Sequence, residues 1–275
     1  MKQNGTTLVV GGTGKTGRRV IERLQLRGLP YRVGSRSAQP AFDWEDEKTW
    51  SSALKGVSQA YVTYYPDVCV PGALEKVRSF FDLAVRDGVK RLVFLSGRGE
   101  VEAEKAEEAL KASGADWSIL RCSFFSQNFS ETFFLEPILA GEVALPVRPV
   151  EEPFVDVDDI ADVAVTALTQ PGHTGKLYEL TGPRALTFGD AIDEIARATG
   201  RSIQFVTITP EEYRAGMLQA QVPTEVIDLV LYLFSTVLDG RNTPVADGVQ
   251  RALGRPPRDF SDYAKRTAAT GVWGK

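Results

Sequence analysis

The chain has few of the residues on which metal centres and nucleophilic hydrolases depend. It contains one histidine and two cysteines in 275 residues. Cys69 and Cys122 form no close motif, so we expect neither a disulfide framework nor a zinc site, and no metal. His173 lies between Gly172 and Gly175 in a sequence typical of an exposed turn, which is a poor place for the base of a Ser-His-Asp triad. The sequence therefore predicts chemistry that needs neither a metal nor such a triad.

Charge and hydropathy exclude two further classes of protein. The 32 basic residues are outnumbered by 36 acidic ones, and the net charge of −4 leaves no electrostatic footprint for nucleic acid. No apolar stretch approaches the roughly 18 residues of a membrane span, and no leader pattern opens the chain. We therefore expect no membrane association, and a cytoplasmic protein is the default expectation.

Apolar runs alternate with helical patterns through the first two-thirds of the chain. Strands separated by helices predict an α/β protein with a doubly wound parallel sheet and a smaller, mainly C-terminal lobe. Thr187 and Thr209 each begin a sequence that resembles a capping box. The core is predicted to span residues 1–121, with a returning helix and strand in 156–182, and the lobe to comprise 122–155 and 183–275. The predicted strands are 6–10, 31–34, 59–63, 91–95, 117–120, 177–180 and 203–208, and the predicted helices are 15–27, 49–55, 72–87, 100–113, 127–140 and 156–168.

A glycine-rich loop, Gly-Gly-Thr-Gly-Lys-Thr-Gly, lies directly between the first predicted strand and an amphipathic helix. Gly11 permits the tight turn out of the strand. Gly14 lets the backbone approach a pyrophosphate, and Gly17 lets the helix pack closely on the sheet. An ATP-binding P-loop would need a glycine where Val9 stands, so the spacing favours a dinucleotide-binding Rossmann fold. The residues expected at the phosphates are Gly11, Thr13, Gly14, Lys15, Thr16 and Gly17.

The end of the second predicted strand indicates which dinucleotide binds. An NAD site usually has an acidic residue there for the ribose hydroxyls, but none occurs between Glu22 and Asp43. Arg36 can instead pair with a 2′-phosphate, and Ser35 can add a hydroxyl contact. These residues predict NADPH or NADP as the cofactor; the alternative is that Arg36 is a solvated surface charge.

Several segments together carry a family resemblance that covers nearly the whole chain. Residues 9–17, 33–37, 116–121 and 153–161 resemble the NmrA-like branch of the atypical short-chain dehydrogenases. The most similar subgroup contains the ergot-alkaloid festuclavine and agroclavine dehydrogenases and bacterial relatives, which reduce an iminium carbon with NADPH. The family usually has a proline at the position of Cys122. The resemblance implies further cofactor contacts by Asp43 and Trp44 at the adenine, Thr63, Tyr64 and Tyr65 beneath the cofactor, Ser96 and Gly97 at the nicotinamide ribose, and Ser123, Phe124 and Phe125 at the nicotinamide edge.

The sequence lacks the proton donor of ordinary short-chain dehydrogenases. None of the eight tyrosines is followed four residues later by lysine, so Tyr-x-x-x-Lys is absent. Ser96, Tyr64 and Lys105 are the remaining catalytic candidates, and for Lys105 a solvated surface position is the favoured alternative. Two functions stay open. One is an NADPH-dependent oxidoreductase that delivers hydride to a flat, apolar acceptor such as an iminium, a quinone, or an activated alkene or carbonyl; the other is a non-catalytic NADP-sensing regulator.

An aromatic cluster between residues 124 and 134 is the best candidate for a substrate wall. About half of such a cluster is expected to be simply buried. Phe125, Asn128 and Phe129 are the predicted substrate residues, and Gln127 is a second polar candidate. The expected partner is a small aromatic or polycyclic molecule, bound by a monomer or a homodimer.

Overall fold

The structure, a computed structural model, describes residues 5–274. Residues 1–4, at the start of the predicted core, and residue 275, at the end of the predicted lobe, lie outside the described residues. The seven predicted strands are present to within two residues at each end, and the strand Glu142–Leu145 was not predicted. The strands are β1 (Thr6–Val10), β2 (Tyr31–Gly34), β3 (Val57–Val62), β4 (Arg91–Gly97), β5 (Asp116–Cys122), β6 (Glu142–Leu145), β7 (Lys176–Leu180) and β8 (Gln204–Thr207). The α-helices are α1 (Lys15–Leu26), α2 (Trp50–Leu54), α3 (Ala73–Arg86), α4 (Val101–Ala112), α5 (Asn128–Glu131), α6 (Leu135–Ala140), α7 (Val157–Thr169), α8 (Phe188–Thr199), α9 (Pro210–Gln219), α10 (Thr224–Tyr232), α11 (Gly248–Leu253) and α12 (Phe260–Ala269).

The described residues fold into two compact units. The first unit contains the described residues up to Cys122 together with Val157–Leu180 and Asp247–Arg255. The second contains Ser123–Asp156, Thr181–Ala246 and the described residues from Pro256 onward. The sequence predicts residues 247–255 as part of the lobe, whereas in the structure α11 packs on α7 and β7 within the first unit.

The first unit is built on a six-stranded sheet in the order β2-β1-β3-β4-β5-β7, and every neighbouring pair is parallel. The chain moves from β1 to β2 in one direction and then returns to β3 on the other side of β1. This reversal is the switch point at which doubly wound sheets bind ligands. Leu8 and Val10 join α3 and α4 in one cluster, whereas Val9 between them is buried outside that cluster. The predicted doubly wound fold is confirmed.

The second unit has a two-stranded parallel sheet of β6 and β8 and an aromatic core. The predicted helix over residues 127–140 is interrupted between α5 and α6. Phe129 and Phe134 explain the break, because five residues of a continuous helix would turn their side chains about 140° apart. In the structure both are buried and their ring centroids are 5.0 Å apart. Both predicted capping boxes, at Thr187 and Thr209, are present.

His173 does lie in a turn, but the predicted exposure was wrong. Its side chain is buried, with Nδ1 2.8 Å from the Tyr178 hydroxyl, and its carbonyl accepts a hydrogen bond from Ser118 Oγ at 2.7 Å. These two contacts draw the turn onto the sheet of the first unit. Within residues 5–274, no helix has the length and apolar character needed to cross a membrane.

Candidate functional site

The glycine-rich loop leaves β1 through a turn that glycine accommodates best. Gly11 has a φ of 69°, in the left-handed region, and its carbonyl accepts a hydrogen bond from the Gly14 N–H at 2.9 Å. Gly14 is the N-cap of α1 and provides no side chain to cap the helix. The first N–H groups of a helix have no partner within the helix, so an uncapped start is suited to an anion.

Gly17 shows why the loop can lie against its own helix. A Cβ built on Gly17 would lie 2.2 Å from the carbonyl oxygen of Gly11, so any larger residue would force the loop away. Thr13 and Gly14 are exposed at the top of the turn, while Thr16 is buried below it. This compact cradle, with an uncapped helix start, fits the pyrophosphate of a dinucleotide.

Arg36 lies just beyond β2, the strand next to β1 in the sheet. Its side chain is exposed, and it has no ion-pair partner among residues 5–274. Ser35 is half-buried, and its Oγ is 3.3 Å from Ser37 Oγ. The guanidinium is therefore available to a phosphate, and the structure is equally compatible with a solvated charge.

The predicted adenine-side residues form a tightly packed aromatic layer. Trp44 is buried, its Nε1 donates to the Thr63 carbonyl at 3.1 Å, and its ring centroid is 4.9 Å from that of Tyr64. Burial raises the pKa of Tyr64, and the positive charge of Lys76 only partly offsets the rise. Tyr64 packs in the core of the first unit, and its catalytic role stays a prediction.

The other residues near this end of β3 differ in exposure. Tyr65, the neighbour of Tyr64, is 76% exposed. Asp43 is half-buried, and its Oδ1 accepts the N–H of Glu45 at 3.0 Å. Tyr65 and Asp43 thus keep surface available for a ligand.

Ser96 belongs to a buried polar network. Its Oγ donates to Glu107 Oε1 at 2.6 Å, and the fully buried Glu107 also accepts from Arg121 Nε at 2.8 Å. Arg121 Nη1 reaches Glu179 at 3.4 Å, so the network joins β4, α4, β5 and β7. The Ser96 hydroxyl hydrogen is committed to Glu107. This contact fixes the Ser96 side chain at the end of β4, and its catalytic role stays a prediction.

Lys105 lies on the exposed face of α4. Its Nζ is 3.6 Å from Glu102 Oε1, and both side chains are well exposed. This is the solvated position that the sequence favoured as the alternative to catalysis.

The predicted nicotinamide-edge residues lie in the second unit, where two are anchored to the same segment. Ser123 is buried, and its Oγ donates to the Pro153 carbonyl at 2.6 Å. The Phe124 N–H donates to Glu152 Oε1 at 3.1 Å. Phe125 is half-buried and pairs through its backbone with Val155.

The predicted substrate residues separate into core and surface. Phe129 is fully buried and packs against several other aromatic rings of the second unit, and its substrate role stays a prediction. Gln127 is also buried, and its Nε2 donates to Asp156 Oδ1 at 2.7 Å rather than facing a ligand. Phe125 and Asn128, which are both half-buried, retain accessible surface.

Sequence reasoning missed one cluster, formed by Asp67, Cys69 and Glu100. Burial, followed by the charge of Asp67, raises the pKa of Glu100 to about 9. Burial also raises the pKa of the Cys69 thiol. The sequence contains Asp-x-Cys after one strand and a Glu after the next. These residues can be recognised as a cluster only when β3 and β4 are known to be neighbours in the sheet.

Comparisons with known proteins identify the family. The sequence model of the NmrA-like family matches residues 3–239. An NAD(P)H azoreductase from Xenophilus azovorans is 30% identical over 284 residues, covering 95% of this chain and 98% of that relative. An agroclavine dehydrogenase from Claviceps fusiformis is 31% identical over 276 residues, covering 94% and 96%. The crystal structure of an NADPH-dependent quinone oxidoreductase from Escherichia coli, complexed with NADPH, is similar in fold, with a TM-score of 0.79 and 20% identity, covering 94% of this chain and 99% of that one.

Proposed function

Because this chain belongs to the NmrA-like family, we propose that it is an NADPH-dependent reductase that delivers hydride to a flat, apolar acceptor. The acceptor classes are an iminium, a quinone, or an activated alkene or carbonyl. The observation that supports the proposal is the uncapped cradle at the start of α1, with the exposed Arg36 at the end of the adjacent strand. NADPH, when bound, supplies the hydride.

The chain's own residues bind and orient the cofactor. The N–H groups that open α1 hold the pyrophosphate, and Arg36 pairs with the 2′-phosphate while Ser35 adds a hydroxyl. Asp43 and Trp44 border the adenine. The buried network under Ser96 keeps the end of β4 rigid, which fixes the floor of the site.

The polar groups of the site favour acceptors that need little help from an acid. Ser96 already donates to Glu107, and Lys105 is solvated. An iminium is already positive, so hydride addition gives a neutral amine and no proton is needed. Reduction of a quinone gives a stabilised anion that solvent can protonate. Catalysis then depends mainly on holding two flat partners in register.

Phe125 and Asn128 are our proposed substrate contacts in the second unit. Phe125 offers a flat apolar surface, and Asn128 offers an amide that can orient a polar edge. Both side chains are half-buried, which leaves part of each accessible.

The deciding experiment is a turnover panel with NADPH. A cyclic iminium, a quinone, an enone and an azo dye are each mixed with the protein, and loss of NADPH absorbance is compared with product formation. We expect stoichiometric turnover of at least one class. Phe125→Ala should raise KM for that acceptor, whereas Phe133→Ala, at an exposed ring of the same unit, should not. Tight NADPH binding with no turnover of any class would contradict the proposal and favour an NADP-sensing regulator.

A further inference from the structure

Three side chains that can coordinate a cation converge just beyond the ends of two neighbouring strands. Asp67 and Cys69 lie in the loop that follows β3, and Glu100 follows β4 as the N-cap of α4. One ligand atom from each residue lies within 4.8 Å of the other two. All three belong to the first unit, and none of them takes part in the proposed cofactor contacts.

Glu100 provides a second, independent indication of a ligand. Its side chain is only 7% exposed, and its Oε2 is buried without a hydrogen-bond partner among residues 5–274. The carboxylate is held there by close packing, because a Cβ built on Gly97 would lie 2.1 Å from Glu100 Oε1. Buried carboxylate oxygens nearly always have a partner, so this unpaired oxygen leaves a lone pair for a bound ligand.

Both carboxylates of the cluster lack a basic partner. Neither Asp67 nor Glu100 forms an ion pair with a lysine or arginine within the described part of the chain. The Cys69 N–H donates to Asp67 Oδ1 at 3.0 Å, which fixes the carboxylate beside the thiol. A bound cation would satisfy the orphaned oxygen and neutralise the cluster at once.

We propose that Asp67, Cys69 and Glu100 form a binding site for a divalent, thiophilic cation of the Zn²⁺ type. A sulfur ligand selects such a metal over Mg²⁺ or Ca²⁺, and two carboxylates complete three positions of a tetrahedral site. Asp67 and Cys69 are half-buried, so solvent can deliver the ion and supply a fourth ligand. A metal binds the thiolate form of cysteine, so the Cys69 thiol proton leaves to solvent when the cation enters.

Metal titration of the full-length protein tests the site directly, without NADPH or an acceptor. Chelator-treated protein is titrated with Co²⁺, followed by absorption, and with Zn²⁺, followed by equilibrium dialysis. We expect one ion per chain and a thiolate-to-Co²⁺ charge-transfer band. Cys69→Ser should abolish the band, and Glu100→Gln should weaken Zn²⁺ binding by about 100-fold or more, since even indirect partners of a metal contribute 10- to 100-fold.

Two matched variants control for composition and folding. Cys122→Ala removes the other cysteine, and Glu108→Gln removes an acid of α4 that pairs with Lys111; neither should change binding. Circular dichroism checks each variant, and Cys69→Ser carries the test alone if Glu100→Gln does not fold. The proposal is overturned if the wild type binds no more Zn²⁺ than Cys69→Ser.

Discussion

Arg36→Ala is the sharpest single perturbation of the proposed cofactor preference. Arg36 is exposed and has no ion-pair partner among the described residues, so its removal should leave the fold intact. Arg36→Ala removes a positive charge just beyond β2, the strand that pairs with β1, at the proposed position of the 2′-phosphate. NADH lacks that phosphate and therefore serves as an internal control.

The size of the effect follows from the type of contact. A hydrogen bond to a charged group contributes about 1.5–3 kcal/mol. Because Arg36 is exposed, solvent and salt screen the pair, and we expect the low end of that range. Since about 1.4 kcal/mol corresponds to a tenfold change in affinity, Kd for NADPH should rise about tenfold, and Kd for NADH should change less than about twofold.

Equilibrium titrations with both dinucleotides, followed by tryptophan quenching, measure the two Kd values. Arg86→Ala is the matched control, because Arg86 is an exposed arginine at the C-terminal end of α3. The difference between wild type and Arg36→Ala should shrink as ionic strength rises. Equal affinity of the wild type for NADPH and NADH would refute the reasoning, as would an equal loss of both in Arg36→Ala.

Three further variants test the cradle, the α4 surface and the buried turn. Gly17→Ala should weaken the binding of both dinucleotides by on the order of 100-fold, because the added Cβ would collide with the Gly11 carbonyl. Gly216→Ala is the control: this helical glycine has open space around it, so the same titration should show unchanged binding. Lys105→Ala should keep kcat within about threefold, and a loss on the order of 100-fold with unchanged NADPH affinity would show that the lysine assists proton transfer. Burial, and then a neighbouring arginine, lowers the pKa of His173, so the unfolded chain binds the proton more readily. The free energy of unfolding should therefore fall as pH drops below about 6.5, and His173→Gln should remove that component in denaturant titrations; an NMR pKa at or above the usual value would contradict it.

The phosphate loop and its flanking elements were predictable because their signals are local. The strand Thr6–Val10 and the helix start at Lys15 match the predicted residues, since the glycine spacing, the apolar run and the amphipathic pattern all lie within one short segment. Thr187 and Thr209 were equally accessible to prediction, because a capping box is contained in four consecutive residues.

Other features depend on contacts between distant segments, which local patterns do not encode. The break before Phe134 is set by the aromatic core that it enters, not by its neighbours in the chain. His173 is buried because Tyr178 and Ser118 bind its turn. The hydrogen bond from the Ser96 hydroxyl to Glu107, eleven positions further on, was not predictable because it depends on how α4 packs on β4.

The placement of α11 has a consequence for how the chain is made. In proteins with consecutive domains, the N-terminal domain folds while the ribosome is still translating the next one. That order is unavailable here, because the chain passes five times between the two units and the first unit still lacks residues Asp247–Arg255 when Ala246 has been synthesised. Before α11 has been synthesised, β7 is the edge strand of the parallel sheet and lacks its cover, because in the folded protein Gly248 of α11 packs against the Glu179 backbone in β7. A nascent chain stalled before Asp247 would expose that edge strand to pairing with other chains, so the interval of synthesis just before α11 is the one in which a chaperone would be needed most.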